Sequence, residues 1–304
     1  MTGHRYIINY INKAVQLLPE MLVTLFRTFL ISSGKLFGMS MLMTAGQAMA
    51  DEGWFATVDK TQEEQPHWMT PLITVTPRLE EEYRYDQVVQ NKPGGVTYTN
   101  NGGGKGLELI PSEHVEVILG EPGYINNQTP NGTTSGWADE SLLVKYRFLA
   151  GNEEHGNYIV TGFLGVSTPT GSPGFTQSYT VTTPTLAVGK GWGTRDAGVD
   201  VQSTLSESFA SGNEAVLGTP VNWNTALQGH FSFLWPEIEA SYTHWRGGQF
   251  NGKDQLIMTY GLILGRFPLV GRTRLIVGAG YQTSNMSGFS TFTNGYVVTG
   301  RVAF

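Results

Sequence analysis

The chain has no cysteine among its 304 residues. That absence removes disulfides, thiolate metal ligands and cysteine nucleophiles. It suits a polypeptide that crosses an oxidising compartment before folding, where a stray thiol pairs wrongly. Charge is scarce too: Asp, Glu, Lys and Arg make up 14% of the residues, against about 25% in ordinary soluble domains. The balance is acidic, with a formal net charge of −6, so the chain lacks the basic footprint that nucleic-acid binding needs. Beyond residue 50 no apolar run reaches the roughly 20 residues that a membrane helix requires. Glycine, at 39 residues, and aromatics, at 12%, are abundant instead.

Residues 1–50 read as an export segment, to be set aside from fold reasoning. Basic Arg5, Lys13, Arg27 and Lys35 precede the apolar stretch Leu36–Ala45 and the small pair Ala48 and Ala50. Cleavage is expected after Ala50, and an internal start such as Met21 would give a conventional layout. Leu17–Ile31 is too short for a membrane helix and carries Pro19, Glu20 and Arg27. The first 50 residues hold four basic residues and one acidic, so their removal leaves a more acidic chain. Residues 51–70 are expected to form a periplasmic or lumen-inserted segment, and residues 71–304 the folded body.

From Pro66 onward short runs of period-2 alternation recur between Gly, Asn and Pro clusters, the signature of strands. They are Leu79–Val88, Leu107–Leu119, Ser141–Leu149, Tyr158–Val166, Thr185–Trp192, Val199–Leu205 and Val221–Trp235. A short turn at Pro236 follows, because proline cannot donate inside a ladder. Ile238, Ala240 and Tyr242 mark the next strand, and Leu256–Leu264, Leu275–Thr283 and Tyr296–Phe304 complete the run. Asn100–Gly106 and Glu121–Gly136 read as loops, and Pro71–Val75 as a short additional strand.

The last strand ends on Phe304. Tyr296, Val298, Gly300, Val302 and Phe304 form an apolar face, while the other face carries Arg301. A terminal aromatic on such a strand resembles bacterial outer-membrane β-barrels, in which the assembly machinery reads that residue. Single-chain barrels of this kind use even strand numbers, so an all-β antiparallel transmembrane barrel of 12 strands is expected, with 10 as the alternative. The facing follows from cost: Lys or Arg on the lipid face at mid-bilayer costs about 2–4 kcal/mol. Lys145 and Arg147 must therefore face the lumen, with Val144, Tyr146 and Phe148 towards lipid. A soluble barrel would reverse this. Trp137, Trp192, Trp235 and Tyr281 fall near strand ends, where aromatic girdles belong.

Two blocks carry a narrower resemblance. His67–Glu80, continuing into Tyr83-Arg84-Tyr85-Asp86, and Gly261–Pro268 with Val277–Gln282 are similar to uncharacterised outer-membrane barrels labelled as a phenol meta-degradation pathway or transporter family. The resemblance implies passage or binding of small solutes, aromatic compounds among them, and supplies no catalytic residues.

Candidate lumen and selectivity residues are Arg78, Glu80, Glu82 and Arg84, a plus–minus–minus–plus ladder, together with Lys145, Arg147, His230, Glu237 and Glu239. Rings of such charges set the sign and size preference of a pore. His230-x-Ser232 offers a second reading: residues i and i+2 share a strand face, so the imidazole could take the hydroxyl proton in a lipid-modifying hydrolase. No orienting third group is identifiable from spacing, and the pair is expected to face the lumen with Asn222, Asn224 and Gln228 instead of lipid, so a polar lumen lining is the preferred reading. A third reading is a non-conducting structural or recognition barrel whose loops bind outside. His67, His114, His155, His230 and His244 lack metal-ligand spacing. No metal or cofactor is expected; the expected partners are outer-membrane lipid, the barrel-assembly machinery and a small-molecule solute.

Overall fold

A computed structural model describes residues 52–103, 105–284 and 289–304. The export segment and its cleavage point lie outside the described residues. Residues 52–55 form the first turn of helix α1 (Glu52–Glu63), and residues 56–304 make one compact unit.

The wall is a closed antiparallel barrel of 12 strands. Its first strand is β1 (Glu82–Lys92). Three strands follow, each interrupted once: β2 (Val96–Asn101) with β3 (Gly106–Ser112), β4 (Val115–Gly120) with β5 (Tyr124–Thr129), and β6 (Gly132–Trp137) with β7 (Glu140–Gly151). Then come β8 (Tyr158–Thr168), β9 (Val181–Gly193), β10 (Ala197–Glu207), the short β11 (Phe209–Ala210) and the one-turn α2 (Glu214–Leu217). β12 (Thr219–Phe231), β13 (Leu234–Arg246), β14 (Asp254–Pro268), β15 (Arg274–Ser284) and β16 (Asn294–Ala303) complete the ring. Closure is made by β16 on β1, from Glu82 opposite Ala303 to Asn91 opposite Asn294. Closing the ring leaves the membrane-level sheet with no edge, as lipid demands of strands.

Facing is inverted relative to a soluble barrel. On β7, Val144, Tyr146 and Phe148 are exposed at 38%, 49% and 55%, while Lys145 and Arg147 are buried at 0% and 3%. The same alternation runs through β16, where Tyr296 and Val298 face out and Thr299 and Arg301 face in. One end of the barrel has short turns, such as residues 113–114 and 232–233, and the other has longer loops, such as 169–180. That asymmetry marks the periplasmic and extracellular ends respectively.

Several boundaries differ from the sequence reading. Leu107–Leu119 is a hairpin, not one strand, because the polar pair Glu113-His114 turns the chain between β3 and β4. The stretch read as a loop at Glu121–Gly136 contains the β5–β6 hairpin, whose polar faces hide it from any alternation test. The turn expected at Pro236 lies at Ser232-Phe233, with Ser232 at φ 59°. Pro236 sits in β13 opposite Leu262. Towards β12 its missing N–H coincides with a gap in the ladder between the Gln228–Glu237 and Phe231–Leu234 pairs. Trp235 is not in the outer girdle; it faces inward, 4% exposed, and stacks on His230 at 4.4 Å. Trp137, Trp192 and Tyr281 do face outward.

The largest difference concerns residues 71–81. Pro71–Val75 is not a strand, and Leu79, Arg78 and Glu80 are not on the wall, which starts at Glu82. Proline at 71 and 77 removes two backbone donors from the stretch. The segment instead lies inside the ring: Trp68, Met69, Leu72 and Leu79 are each no more than 1% exposed.

Candidate functional site: a plugged lumen

Residues 65–81 form a plug without regular structure. It is held by inward side chains from strands all around the barrel. Gln202 on β10 donates to the Met69 carbonyl at 2.9 Å. Thr161 on β8 donates to the Pro77 carbonyl at 2.6 Å. Arg266 on β14 donates to the Trp68 carbonyl at 2.9 Å. A chain threaded through a polar lumen must satisfy its own backbone groups there, and the wall supplies the partners.

Two apolar anchors fix its position. Leu72 occupies a socket left by three inward glycines: a β-carbon at Gly261, Gly278 or Gly280 would lie 2.5, 3.0 or 2.8 Å from a Leu72 methyl carbon. Trp68 lies in the same way against Gly189 and Gly191 of β9. These wall positions carry glycine because the plug's side chains fill the space a β-carbon would take.

The charged residues singled out from the sequence converge on this plug. Lys145 lies 2.9 Å from Glu116 of β4, both fully buried, and also donates to the Arg78 carbonyl at 3.1 Å. Glu116 in turn accepts the Glu80 N–H at 2.7 Å. Arg147 reaches down to helix α1, donating to the Thr61 carbonyl at 2.9 Å and to Glu64 at 3.0 Å. Arg78 and Glu80 pair with each other at 2.8 Å within the plug. Glu82 faces Glu108 across the β1–β3 pair, and Arg84 holds Asp86 at 2.8 Å. Glu237 and Glu239 accept three successive plug N–H groups, from Leu72 at 3.1 Å, Ile73 at 2.8 Å and Thr74 at 2.6 Å. Arg301, Glu116, Glu108 and Lys105 belong to the same buried charge system and were missed by the sequence reading. Arg301 was visible there as the charge on the last strand's lumen face.

His230 and Ser232 are not brought together. His230 points inward and its Nε2 lies 2.8 Å from the Thr194 carbonyl. Ser232 sits exposed at the turn, where the period-2 relation no longer holds. Phe304 lies one residue beyond β16, and its N–H donates to the Glu81 carbonyl at 3.1 Å.

Helix α1 covers the periplasmic mouth. Asp59 accepts two hydrogen bonds from Arg272, at 2.7 and 3.0 Å, and Lys60 reaches Glu113 at 2.7 Å. Between the helix, the plug and strands β14–β16 lies a cavity of about 370 Å³. Towards the extracellular side the inward faces turn to amides and hydroxyls. Gln255 donates to Thr291 at 2.9 Å and to Ser284 at 3.2 Å, and Thr243 donates to Asn222 at 2.9 Å.

Where the plug enters the barrel, His67 is clasped by Glu153 in the β7–β8 turn. The His67 backbone N–H and Nδ1 donate to the two carboxylate oxygens at 2.8 and 2.7 Å. Burial holds the imidazole pKa below its usual 6.5, against the opposing pull of the Glu153 hydrogen bond. The His67 hydrogen bonds bring Glu153 down to about 2 despite its own partial burial. The ring is therefore neutral at pH 7. Because the released state binds more protons than the clasped one between these pKa values, the clasp weakens as pH falls below about 6.5, and further below about 4.5 as Glu153 titrates. Protection of the amides of residues 67–70 against hydrogen exchange is expected to fall between pH 7.5 and 5.5. Equal protection at both values, after correction for intrinsic exchange, would contradict this assignment.

No family model and no curated protein matches the chain. Solved structures do. An outer membrane channel from Pseudomonas putida F1 superposes with a TM-score of 0.51 at 14% identity, over 73% of this chain and 92% of that one. The fold is an outer-membrane β-barrel. Two porins, NanC and KdgM, give TM-scores of 0.46 and 0.42 at 10% and 9% identity. They cover 72% and 73% of this chain and 98% and 99% of their own. With charged side chains inside and an apolar wall outside, the outer membrane is the solvent this barrel is built for.

Proposed function

We propose that the barrel passes small polar solutes across the outer membrane, with residues 65–81 as a plug that must shift for passage. The observation that carries this reading is the manner of the plug's attachment. Beyond its apolar anchors it is tied by hydrogen bonds and ion pairs to a polar inner wall, and such bonds can be exchanged at small net cost for bonds to a solute that offers matching groups. The amide and hydroxyl lining above the plug favours solutes that hydrogen-bond. Aromatic solutes remain the class that the family resemblance implies, and uptake of phenol relative to glycerol measures that preference.

The test is single-channel recording of the purified protein in planar bilayers, paired with swelling of proteoliposomes in glycerol. Discrete openings and swelling faster than in empty liposomes are expected. A folded protein that does neither is a structural or recognition barrel. Replacing Ser232 with Ala is expected to leave both readouts unchanged, and acyl release from phospholipid that vanishes in this variant would restore the hydrolase reading.

A further inference from the structure

The plug is read through its main chain. Glu237 and Glu239 on β13 take the N–H groups of Leu72, Ile73 and Thr74. Three successive N–H groups turned to one side form a nest, the backbone's own anion site. Arg301 on β16 takes the carbonyls of Thr70 at 2.6 Å and Pro71 at 3.1 Å, and Arg84 on β1 takes those of Pro71 at 3.1 Å and Leu72 at 2.5 Å. β14 and β15 separate the acidic strand from the basic ones, so the plug lies between an acidic arc and a basic arc. Both Glu239 oxygens and both terminal nitrogens of each arginine bond to plug backbone.

We infer that this arrangement is a solute site, occupied in the resting protein by residues 70–74 acting as a surrogate ligand. The chemical class it takes is a small zwitterion of the amino-acid or dipeptide kind, with N–H donors at one end and carboxylate or carbonyl oxygens at the other. The reason is compensation. Withdrawing the plug strips both Glu239 oxygens, one Glu237 oxygen and the terminal nitrogens of Arg84 and Arg301 of their partners at once. Arg84 keeps its Asp86 pair and Glu237 its Gln228 bond, and buried charges left short of partners are costly in a confined lumen. A solute bearing both kinds of group replaces those partners; a neutral polyol replaces neither charge. The plug therefore yields to a zwitterion more readily than to an uncharged molecule of the same size. This rests on the reading of the barrel as a conduit for its physiological sense, though the binding step is measurable without transport.

Glycylglycine and triethylene glycol, similar in size, are the probes for full-length protein in detergent. Hydrogen exchange of residues 68–76 is expected to rise several-fold with glycylglycine and to stay constant with triethylene glycol, a difference in ligand affinity expressed on one segment. Glu239→Gln and Arg301→Met, each checked for barrel folding by heat-modifiable gel migration, are expected to reduce the glycylglycine response. N-acetylglycinamide, which carries no charge, is expected to act weakly. Equal responses to dipeptide and polyol, or no response to either, overturn the inference. Swelling assays separate the two levels: a dipeptide that loosens the plug without faster swelling refutes the conduit and leaves the site standing.

Discussion

Oxidising a Leu72→Cys/Gly280→Cys pair is expected to silence the barrel, and reductant to restore it. A β-carbon at Gly280 would lie 2.8 Å from a Leu72 methyl carbon, so the two side-chain positions meet directly; a disulfide needs about 3.5–4.5 Å between β-carbons, which a small shift of the plug supplies. The chain has no other cysteine, so only this link can form. The crosslink ties the middle of the plug to β15 while leaving the wall hydrogen bonds in place. If the conducting path needs the plug to move, oxidised protein gives no openings in a planar bilayer and reduced protein does. Openings of native size from fully oxidised protein would show that solute passes beside a fixed plug.

Lys145→Met is expected to lower stability by about 3–5 kcal/mol, the cost of leaving one member of a buried ion pair without its partner. Glu116 would be that stranded charge, because Lys145 Nζ is its salt-bridge partner at 2.9 Å. Combining Lys145→Met with Glu116→Leu is expected to recover most of the loss, since replacing both partners by apolar groups is often close to neutral. The sign carries the argument. Were Lys145 on the lipid face, replacing it by methionine would stabilise, and Val144→Lys would be the tolerated change. With the observed facing, Val144→Lys places a charge on the outer wall and is expected to cost about 2–4 kcal/mol. Urea unfolding in lipid vesicles measures all three variants, and a stabilised Lys145→Met protein would reverse the inside and outside of the barrel.

The contrast between β7 and the plug shows what alternation can and cannot reveal. On β7 the residues Val144, Lys145, Tyr146 and Arg147 alternate so cleanly that both strand and facing were legible, and the structure agrees. Arg78, Glu80, Glu82 and Arg84 alternate just as well, yet only the last two lie on a strand. A buried plug also pairs charged and apolar side chains, so period 2 continues through the point where wall becomes filling. The β5–β6 hairpin was lost for the opposite reason. Outside the bilayer its two faces meet the same solvent, and no alternation is selected.

His230 and Ser232 illustrate a further limit. Spacing alone puts residues i and i+2 side by side, but a turn three to four residues earlier than expected carries Ser232 off the strand. The proline signal misplaced that turn because Pro236 sits where β13 has a gap in its ladder towards β12. The glycines at 261, 278 and 280 stood in the sequence only as part of the blocks that carry the family resemblance, with no role attached. Their purpose appears once Leu72, about two hundred positions away in the chain, is seen to fill the space they leave.

The sequence by itself determined a strand-built membrane body, its even strand number, and the orientation of Lys145 and Arg147 towards the lumen. Those follow from local alternation and from the cost of charge in lipid, both properties of short segments. Only the tertiary structure decided that the lumen is filled, that residues 70–74 lie between acidic and basic arcs, and which wall positions must stay glycine. Those depend on which parts of the ring face one another across its interior, and that is set by closure of β16 on β1.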